Sequence, residues 1–334
     1  MYGIDIKEDE LLEMGGDILD TLLIDRTTGE NIIWATDDYA SLGDSYTFFK
    51  HITPELITGE NKNVIQPRVA KNEEERKKRA RKMAEVFTPS WACNDMNNGV
   101  DERWFKRTPV FNKSVNKNGK HTWEPTEGKV IFPKGKTWQE YVSMGVIEIT
   151  CGEAPFLASR YDTVTGEPII DLRKRIGWID RKLRIVNENV ITREDWILWA
   201  KQAFKGTLGY EWQGDNLLLA RENLLMSFFD YYEDRFGEEP VLDDVKEVAE
   251  IISWNIFQMD GLKFVIPRSC HSKVLETQDL ISGEVIRQEI ECEGCKKGLI
   301  HKHNGIYVKT MDWETGKTIR FDQINGLAKL EKIG

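Results

Sequence analysis

The sequence predicts an α/β fold in which a largely parallel sheet is covered by helices on both faces. The evidence lies in the second half of this 334-residue chain, where β-prone stretches alternate with amphipathic, helix-prone ones. In chain order the stretches are 146–150 (strand), 193–204 (helix), 209–215 (strand end), 216–237 (helix), 241–252 (helix) and 254–262 (strand and turn). Strand–helix–strand alternation is typical of a parallel, helix-flanked sheet.

The chain divides into three regions in this interpretation. Residues 1–70 form an N-terminal region of short helical and strand-like pieces. Residues 71–265 contain the sheet, with an insertion at 100–140 that is rich in Lys, Asn, Gly and Pro. The Asn-Gly pair at 118–119 predicts a hairpin turn inside that insertion. Residues 266–334 change to short β-prone pieces and suggest a small β-rich appendage.

Composition narrows the class of protein. The formal net charge of −10 argues against a protein that coats nucleic acid non-specifically, although a local basic cleft remains compatible with it. The five scattered cysteines do not resemble a disulfide framework. The first residues lack the apolar core of a secretory signal, and no stretch is long and apolar enough for a transmembrane helix. We therefore expect a cytoplasmic protein without a membrane partner.

A basic, helix-prone stretch occupies residues 71–86 and permits two interpretations. One is a solvated helix face stabilised by Glu–Lys pairs, and the other is a helix that contacts phosphates. Its basic residues are Lys71, Arg76, Lys77, Lys78, Arg79, Arg81 and Lys82.

Three acidic residues stand where strands are predicted to end. Glu148 precedes a turn containing Gly152, and glycine lets a backbone approach a ligand closely. Glu211 ends the next strand and Asp260 a third. Ligands of open α/β sheets bind outside the carboxyl ends of the strands. The acids suit an ammonium group, the hydroxyls of a ribose and an adenine amine respectively, so together they predict a site for one nucleoside-containing ligand.

These stretches resemble the motifs of DNA adenine-N6 methyltransferases from restriction–modification systems. The motifs follow the family's usual order, Phe-Thr-Pro first, over roughly residues 70–265. They are AEVFTPSWACNDM at 84–96, EITCGEAPFL at 148–157, EWQGDNLLLARENLL at 211–225 and NIFQMDGL at 255–262. In the second motif Glu148 replaces the family's Asp, and Ala154 and Pro155 replace a second glycine and its neighbour.

The resemblance implies a Rossmann-like sheet that binds S-adenosylmethionine (SAM). The Phe-Thr-Pro segment would flank the methionine end of SAM, and the glycine-rich motif would hold its amino-acid portion. The acids of the last two motifs would hold the ribose and the adenine. The residues so implied are Phe87, Thr88, Pro89, Glu148, Cys151, Gly152, Glu211 and Asp260.

The family's catalytic motif, Asn/Asp-Pro-Pro-Tyr/Phe, is not visible, because the sequence contains no Pro-Pro pair. In the family that motif holds the flipped target adenine. Residues 304–307, NGIY, keep the Asn and the aromatic residue without the prolines. Residues 320–325, RFDQIN, resemble the strand that leads into the motif. The catalytic residues therefore stay unassigned.

The C-terminal region carries a possible zinc site. Cys292 and Cys295 have the two-residue spacing of a thiolate pair that can bind Zn²⁺, and Cys270, His301 and His303 offer further ligands. The alternative is a set of free cysteines and surface histidines. A redox role for the Cys-x-x-Cys pair has less support, because no helix is clearly predicted to start there.

The first functional hypothesis is a SAM-dependent DNA methyltransferase that acts on adenine N6 and is related to restriction–modification. DNA would be its partner, together with a specificity or restriction subunit. The alternative is a catalytically inactive methyltransferase-like binding subunit or an anti-restriction partner protein. A methyltransferase acting on RNA or protein is a third possibility, against which the Phe-Thr-Pro segment argues.

Overall fold

The structure is a computed structural model that describes residues 3–15, 17–71, 73–83, 88–278, 285–324 and 331–333. Its helices are α1 Glu8–Glu13, α2 Ile18–Leu23, α3 Pro54–Ile57, α4 Glu73–Met83, α5 Ser90–Phe105, α6 Trp138–Val142, α7 Trp178–Asn189, α8 Arg193–Lys205, α9 Gly214–Phe236, α10 Leu242–Asn255 and α11 Glu293–Lys297. Its strands are β1 Asn112–Lys117, β2 Lys120–Pro125, β3 Val146–Glu148, β4 Thr207–Glu211, β5 Ile256–Gln258, β6 Lys273–Gln278, β7 Val285–Ile290, β8 Lys309–Asp312, β9 Lys317–Arg320 and β10 Glu331–Ile333.

A small parallel sheet organises the molecule. Strands β3, β4 and β5 lie side by side in chain order, and β10 pairs in parallel with the other edge of β3. Helices α7 and α8 connect β3 to β4, and α9 and α10 connect β4 to β5. The predicted strand–helix alternation is confirmed for this part of the chain. The chain adds β4 and β5 on one side of β3, and it later adds β10 on the other side. The position between β3 and β10, where the order of addition reverses, is a topological switch point.

The helices form one layer on the sheet and share a core with the N-terminal region. Leu19, Trp34 and Ile52 belong to the same buried cluster as residues of α7, α8, α9 and α10. Helix α9 is buried along most of its length and ends at Gly237, whose φ of 70° suits a helix C-cap. Buried Arg221 of α9 donates to the carbonyls of Ile24 (3.0 Å) and Ile256 (2.8 Å), joining the N-terminal region to β5.

The other face of the sheet corrects the prediction of helices on both sides. In the described part of the chain, Ile147, Tyr210 and Phe257 of the strands pack there against residues that lie outside the α-helices. Those residues are Met259, Ile266, Val308 and Phe321, with Phe264 and Ile324 at the margin. Pro267 and the positive φ of Phe264 (59°) and Arg268 (54°) do not suit a helix. The C-terminal region therefore supplies this layer with turns and short strands.

Three antiparallel hairpins, β1–β2, β6–β7 and β8–β9, accompany the sheet. The predicted turn at 118–119 is confirmed, since Asn118 (φ 53°) and Gly119 (φ 80°) connect β1 to β2. No helix in the part of the chain that the structure describes has both the length and the apolar character needed to cross a membrane.

The basic stretch at 71–86 has a role that neither interpretation included. Lys71 and Arg79 are buried, and both reach the carboxylate of Asp215 in the first turn of α9, at 3.3 and 2.9 Å. Lys77 forms the expected surface pair with Glu73. Helix α4 is thus held against the start of α9 by buried charges.

Candidate functional site

The loop after β3 returns across the carboxyl ends of the strands. Its backbone is strained, because Thr150 (φ 49°) and Ala154 (φ 61°) join Gly152 (φ 54°) in the left-handed region. The sequence analysis expected a helix to follow this loop directly. In the structure the next α-helix is α7. Turns that include Pro155, a β-bridge between Tyr161 and Pro168, and a short 3-10 helix at Leu172–Lys174 occupy the interval. Glycine at 209 on β4 leaves room for the loop, since a Cβ there would lie 3.4 Å from Cys151 Sγ and 3.3 Å from Leu157.

Glu148 ends β3 and is only 2% exposed. Its Oε1 accepts a long hydrogen bond from the Phe156 N–H at 3.4 Å, whereas its Oε2 is buried without a protein partner. Burial raises the pKa of this carboxyl well above its ordinary value, and the nearby Glu211 raises it further. A buried carboxyl oxygen without a partner is unfavourable, and a cation beside it would favour the ionised form, so Glu148 is suited to a ligand that brings a positively charged donor.

Glu211 ends β4 and faces the same loop. Its Oε2 accepts from the Gly152 N–H at 2.9 Å and its Oε1 from the Gln213 N–H at 3.1 Å. Burial raises its pKa, and these backbone donors oppose that effect. Glu148 and Glu211 therefore meet at the glycine loop, as expected for the ends of adjacent parallel strands.

Asp260 lies just beyond β5 at the same edge. Its Oδ1 accepts from the Leu262 N–H at 3.0 Å, and its Oδ2 lies 3.6 Å from Lys263 Nζ. Burial raises the pKa of Tyr210, and the neighbouring Cys151, Glu211 and Asp260 raise it further. Asp260 and Glu211 thus both influence Tyr210 electrostatically. The hydrogen bond that Asp260 accepts from Leu262 closes a local turn.

Cys151 is a structural residue of the loop. Its N–H donates to the Tyr210 carbonyl at 2.8 Å. Burial raises the pKa of its thiol well above the ordinary value, with further contributions from Glu148 and Glu211. A thiol in this environment is not a nucleophile.

The Phe-Thr-Pro segment is described in part. Phe87 lies outside the described residues, whereas Thr88 and Pro89 lead directly into α5. The Thr88 carbonyl accepts from Thr163 Oγ1 at 3.2 Å, and the N–H of Ser90 donates to Asp162 at 2.7 Å. These contacts hold the start of α5 against the chain that follows the glycine loop.

Two contacts of the site were not predicted. Arg79 of α4 donates to the Gln213 side chain at 2.9 Å, two residues after Glu211. Gln258, at the end of β5, exchanges hydrogen bonds with the backbone of Ile33 at 2.8 and 2.9 Å. Neither contact has a signal in the sequence, because the two partners lie 134 positions apart in the first contact and 225 in the second.

The C-terminal region brings four of the five proposed metal ligands together. The ligand atoms of Cys270, Cys292, Cys295 and His303 all lie within 4.8 Å of one another. The His303 Nδ1 is 3.5, 3.8 and 3.6 Å from the three sulfurs in that order. Three thiols and one imidazole form a set that can hold a metal ion such as zinc.

The residues next to this cluster donate hydrogen bonds to its sulfurs and pack closely against its histidine. The Asn304 N–H donates to Cys292 Sγ at 3.3 Å. Burial opposes ionisation of Cys292, but donors from Cys295, Asn304 and His303 lower its pKa to about 6. Glycine is required at 294, because a Cβ there would lie 2.6 Å from the His303 backbone and ring. Helix α11 begins at Glu293, directly after Cys292, so a helix does start at the Cys-x-x-Cys pair.

His301 and the NGIY segment lie outside the ligand set. His301 is exposed and pairs with Asp322 at 2.9 Å. The Asn304 side chain bonds the backbone of His271, and the Tyr307 hydroxyl donates to the Ile300 carbonyl at 2.6 Å. Asn304 and Tyr307 therefore stabilise the loops around the metal cluster. The segment 320–325 comprises the end of β9 and a short 3-10 helix, with residue 325 outside the described residues.

In comparisons with known proteins, no family model, no curated protein and no solved structure matches this chain.

Proposed function

We propose that this chain is a SAM-binding protein with a Rossmann-like methyltransferase sheet, acting on adenine N6 of DNA in a restriction–modification context. The observation that carries the proposal is the buried, donor-seeking Oε2 of Glu148 at the switch point of a parallel sheet. Ligands of open α/β sheets bind at such a point.

The residues at the sheet edge fit the chemistry of this cofactor. Glu148 would accept a hydrogen bond from the ammonium group of the methionine portion. Glu211 keeps lone pairs beyond its two backbone bonds and would accept from the ribose hydroxyls. Asp260 Oδ2 would accept from the adenine amine. When bound, SAM would supply a methyl group activated by its sulfonium.

The protein's contribution to such a transfer is mainly positioning. The strained loop around Gly152 is fixed at both ends, by Glu148 through Phe156 and by the Tyr210 carbonyl through Cys151. Helix α4 is held on Asp215, and its Arg79 donates to the side chain of Gln213, two residues after Glu211. No side chain is assigned to the orientation of the target amine.

A non-catalytic binding subunit is the second candidate. It is favoured by the lack of a Pro-Pro pair in the sequence and by the engagement of Asn304 and Tyr307 in the C-terminal loops. Such a subunit would retain the SAM site and supply DNA or partner recognition.

We further propose that the four-residue cluster holds a structural zinc ion. Four protein ligands would complete a tetrahedral site and leave no position for a substrate. Cys270 precedes β6 and Cys292 follows β7, so the ion would join the two ends of that hairpin. An isolated hairpin is marginally stable in water and gains from such a cross-link.

Isothermal titration with SAM, followed by a tritiated-methyl transfer assay on mixed DNA, tests the proposal. We expect SAM binding that weakens in the variants Glu211→Ala and Asp260→Ala. Label in DNA would support the methyltransferase, and binding without transfer would support the non-catalytic subunit. Absence of SAM binding by the folded protein would refute both.

A further inference from the structure

The insertion at 100–140 contains an exposed concentration of positive charge. Residues 103–136 hold nine Lys or Arg and two Glu, a formal charge of +7 in a chain of net −10. The rest of the chain therefore carries −17. All nine basic side chains are exposed. A basic surface on an acidic body concentrates attraction for a polyanion at one place.

The β1–β2 hairpin presents part of this charge on one side. Strand alternation and the pairing of Lys117 with Lys120 put Lys113, Lys117 and Lys120 on one face, together with Glu124, the cross-strand partner of Lys113. Ser114, Asn116 and His121 lie on the opposite face. Lys117 pairs with Glu124 at 2.7 Å, but both side chains are exposed and such a pair is weak. The hairpin is therefore suited to phosphates spaced along a backbone.

A pocket lies between this hairpin and the first turns of α5. It has a volume of about 240 Å³ and is lined by Trp91, Asp95, Ser114, Val115, Asn116, His121 and Thr122. The Trp91 and His121 rings stack with their centroids 4.7 Å apart, and Trp91 remains 38% exposed. Asp95 accepts a hydrogen bond from Ser114, which joins the helix to the hairpin.

The lining of the pocket suits a nucleobase better than a phosphate. An exposed indole is a stacking surface for any base. The Asp95 carboxylate would repel a phosphate but would accept from an exocyclic amine, and the Asn116 amide can both donate and accept. The pocket also adjoins the candidate SAM site, because Trp91 lies in the first turn of α5, just after Thr88 and Pro89.

We propose that the β1–β2 hairpin and the start of α5 form the DNA-binding surface. A single strand would cross the end of the hairpin at Lys117 and Lys120, with phosphates on the lysine face and one unpaired base against Trp91 on the opposite face. This inference rests on the proposed function for the identity of the polyanion as DNA. The inferred surface lies next to the candidate SAM site at the carboxyl ends of the strands. In the sequence, the hairpin stands between the Phe-Thr-Pro segment and β3.

Fluorescence anisotropy with a labelled single DNA strand tests the lysine face. The combined variant Lys113→Ala, Lys117→Ala and Lys120→Ala should bind about tenfold or more weakly, with a salt dependence shallower by up to about 2 in log–log slope. The matched control removes three exposed lysines elsewhere and should bind like the wild type: Lys50→Ala, Lys62→Ala and Lys317→Ala. Equal binding by the two triple variants would overturn the inference.

A second pair of variants tests the base pocket. Trp91→Ala should weaken binding about fivefold or more through loss of stacking, whereas Trp91→Phe should keep most of the affinity. The salt dependence should stay unchanged in both, because no phosphate contact is removed. Circular dichroism verifies that each variant is folded. Wild-type affinity in Trp91→Ala would refute the pocket assignment.

Parallel titrations separate this inference from the proposed function. Hairpin-dependent DNA binding without SAM binding would support the surface and refute the methyltransferase proposal. SAM binding with DNA binding that ignores the hairpin would refute the surface alone. A single RNA strand of the same sequence serves as competitor, and dependence on the hairpin for RNA only would refute DNA as its ligand.

Discussion

Replacement of Glu148 by Gln separates the ligand role of this residue from a structural one. Glutamine keeps the size of the side chain but cannot offer a negative charge to an ammonium group. A hydrogen bond to a charged group contributes about 1.5–3 kcal/mol, which corresponds to a loss of about 10- to 150-fold in SAM affinity. Isothermal titration at constant pH measures this loss.

The same substitution should make the free energy of unfolding less dependent on pH. Because burial raises the pKa of Glu148, the folded protein holds this proton to a higher pH than the unfolded chain. The free energy of unfolding therefore falls as pH rises above the unfolded value of 4.5 and toward the raised folded pKa. One such group contributes at most about 1.4 kcal/mol per pH unit in that window. Glu148→Gln removes this contribution.

Urea unfolding across this pH range measures the slope, with the exposed Glu60→Gln as the matched control. We expect a shallower decline only in Glu148→Gln, without loss of stability at neutral pH. Wild-type SAM affinity in Glu148→Gln would refute the proposed contact with the ammonium group. A variant that is less stable at every pH would show instead that the carboxylate is needed for the fold.

Three further predictions concern the metal cluster and buried cations. Elemental analysis after dialysis should find about one equivalent of zinc in the wild type and in His301→Ala, but not in His303→Ala, because only His303 lies in the cluster; retention of zinc by His303→Ala would contradict this ligand set. Arg79→Gln should lower the free energy of unfolding by about 1.5–3 kcal/mol, since it removes one of the two cations on the buried carboxylate of Asp215 and leaves Lys71, whereas the exposed Lys77→Gln should have little effect; similar urea midpoints for the two would contradict this. Lys182→Met should cost about 1–3 kcal/mol in the same measurement, because the buried ammonium donates to the Met144 and Gly206 carbonyls at 2.7 and 3.0 Å; an unchanged midpoint would show that those carbonyls need no donor.

Local patterns were sufficient for β3, β4, β5, α8, α9 and α10, but they predicted neither α7 nor the pairing of β10. Apolar periodicity and the terminal Gly237 predicted α9, and the β-prone stretches predicted β4 and β5. The approach of Glu148 to Glu211 also followed from sequence, because the carboxyl ends of neighbouring parallel strands meet at one edge. The Cys-x-x-Cys spacing predicted one part of the metal cluster, because only two residues separate Cys292 from Cys295.

Long-range packing was beyond such patterns. The non-helical layer of Ile266, Val308 and Phe321 depends on how the C-terminal region folds back on the sheet, which periodicity does not report. The burial of Arg79 could not be distinguished from solvation, because the basic stretch alone contains no information about a partner 136 residues away. His303 and His301 have nearly the same spacing from Cys295, and only the backbone path decides which ring faces the sulfurs.

The pairing of β10 has a practical consequence for the handling of this protein. Ile333 is in register with Glu148, and the two strands run in the same direction. Any segment joined directly to the carboxyl end of β10 would consequently start at the ligand-bearing edge of the sheet. A histidine tag placed there would bring imidazoles close to the carboxylates and compete with a nucleoside, so titrations require protein without such a tag.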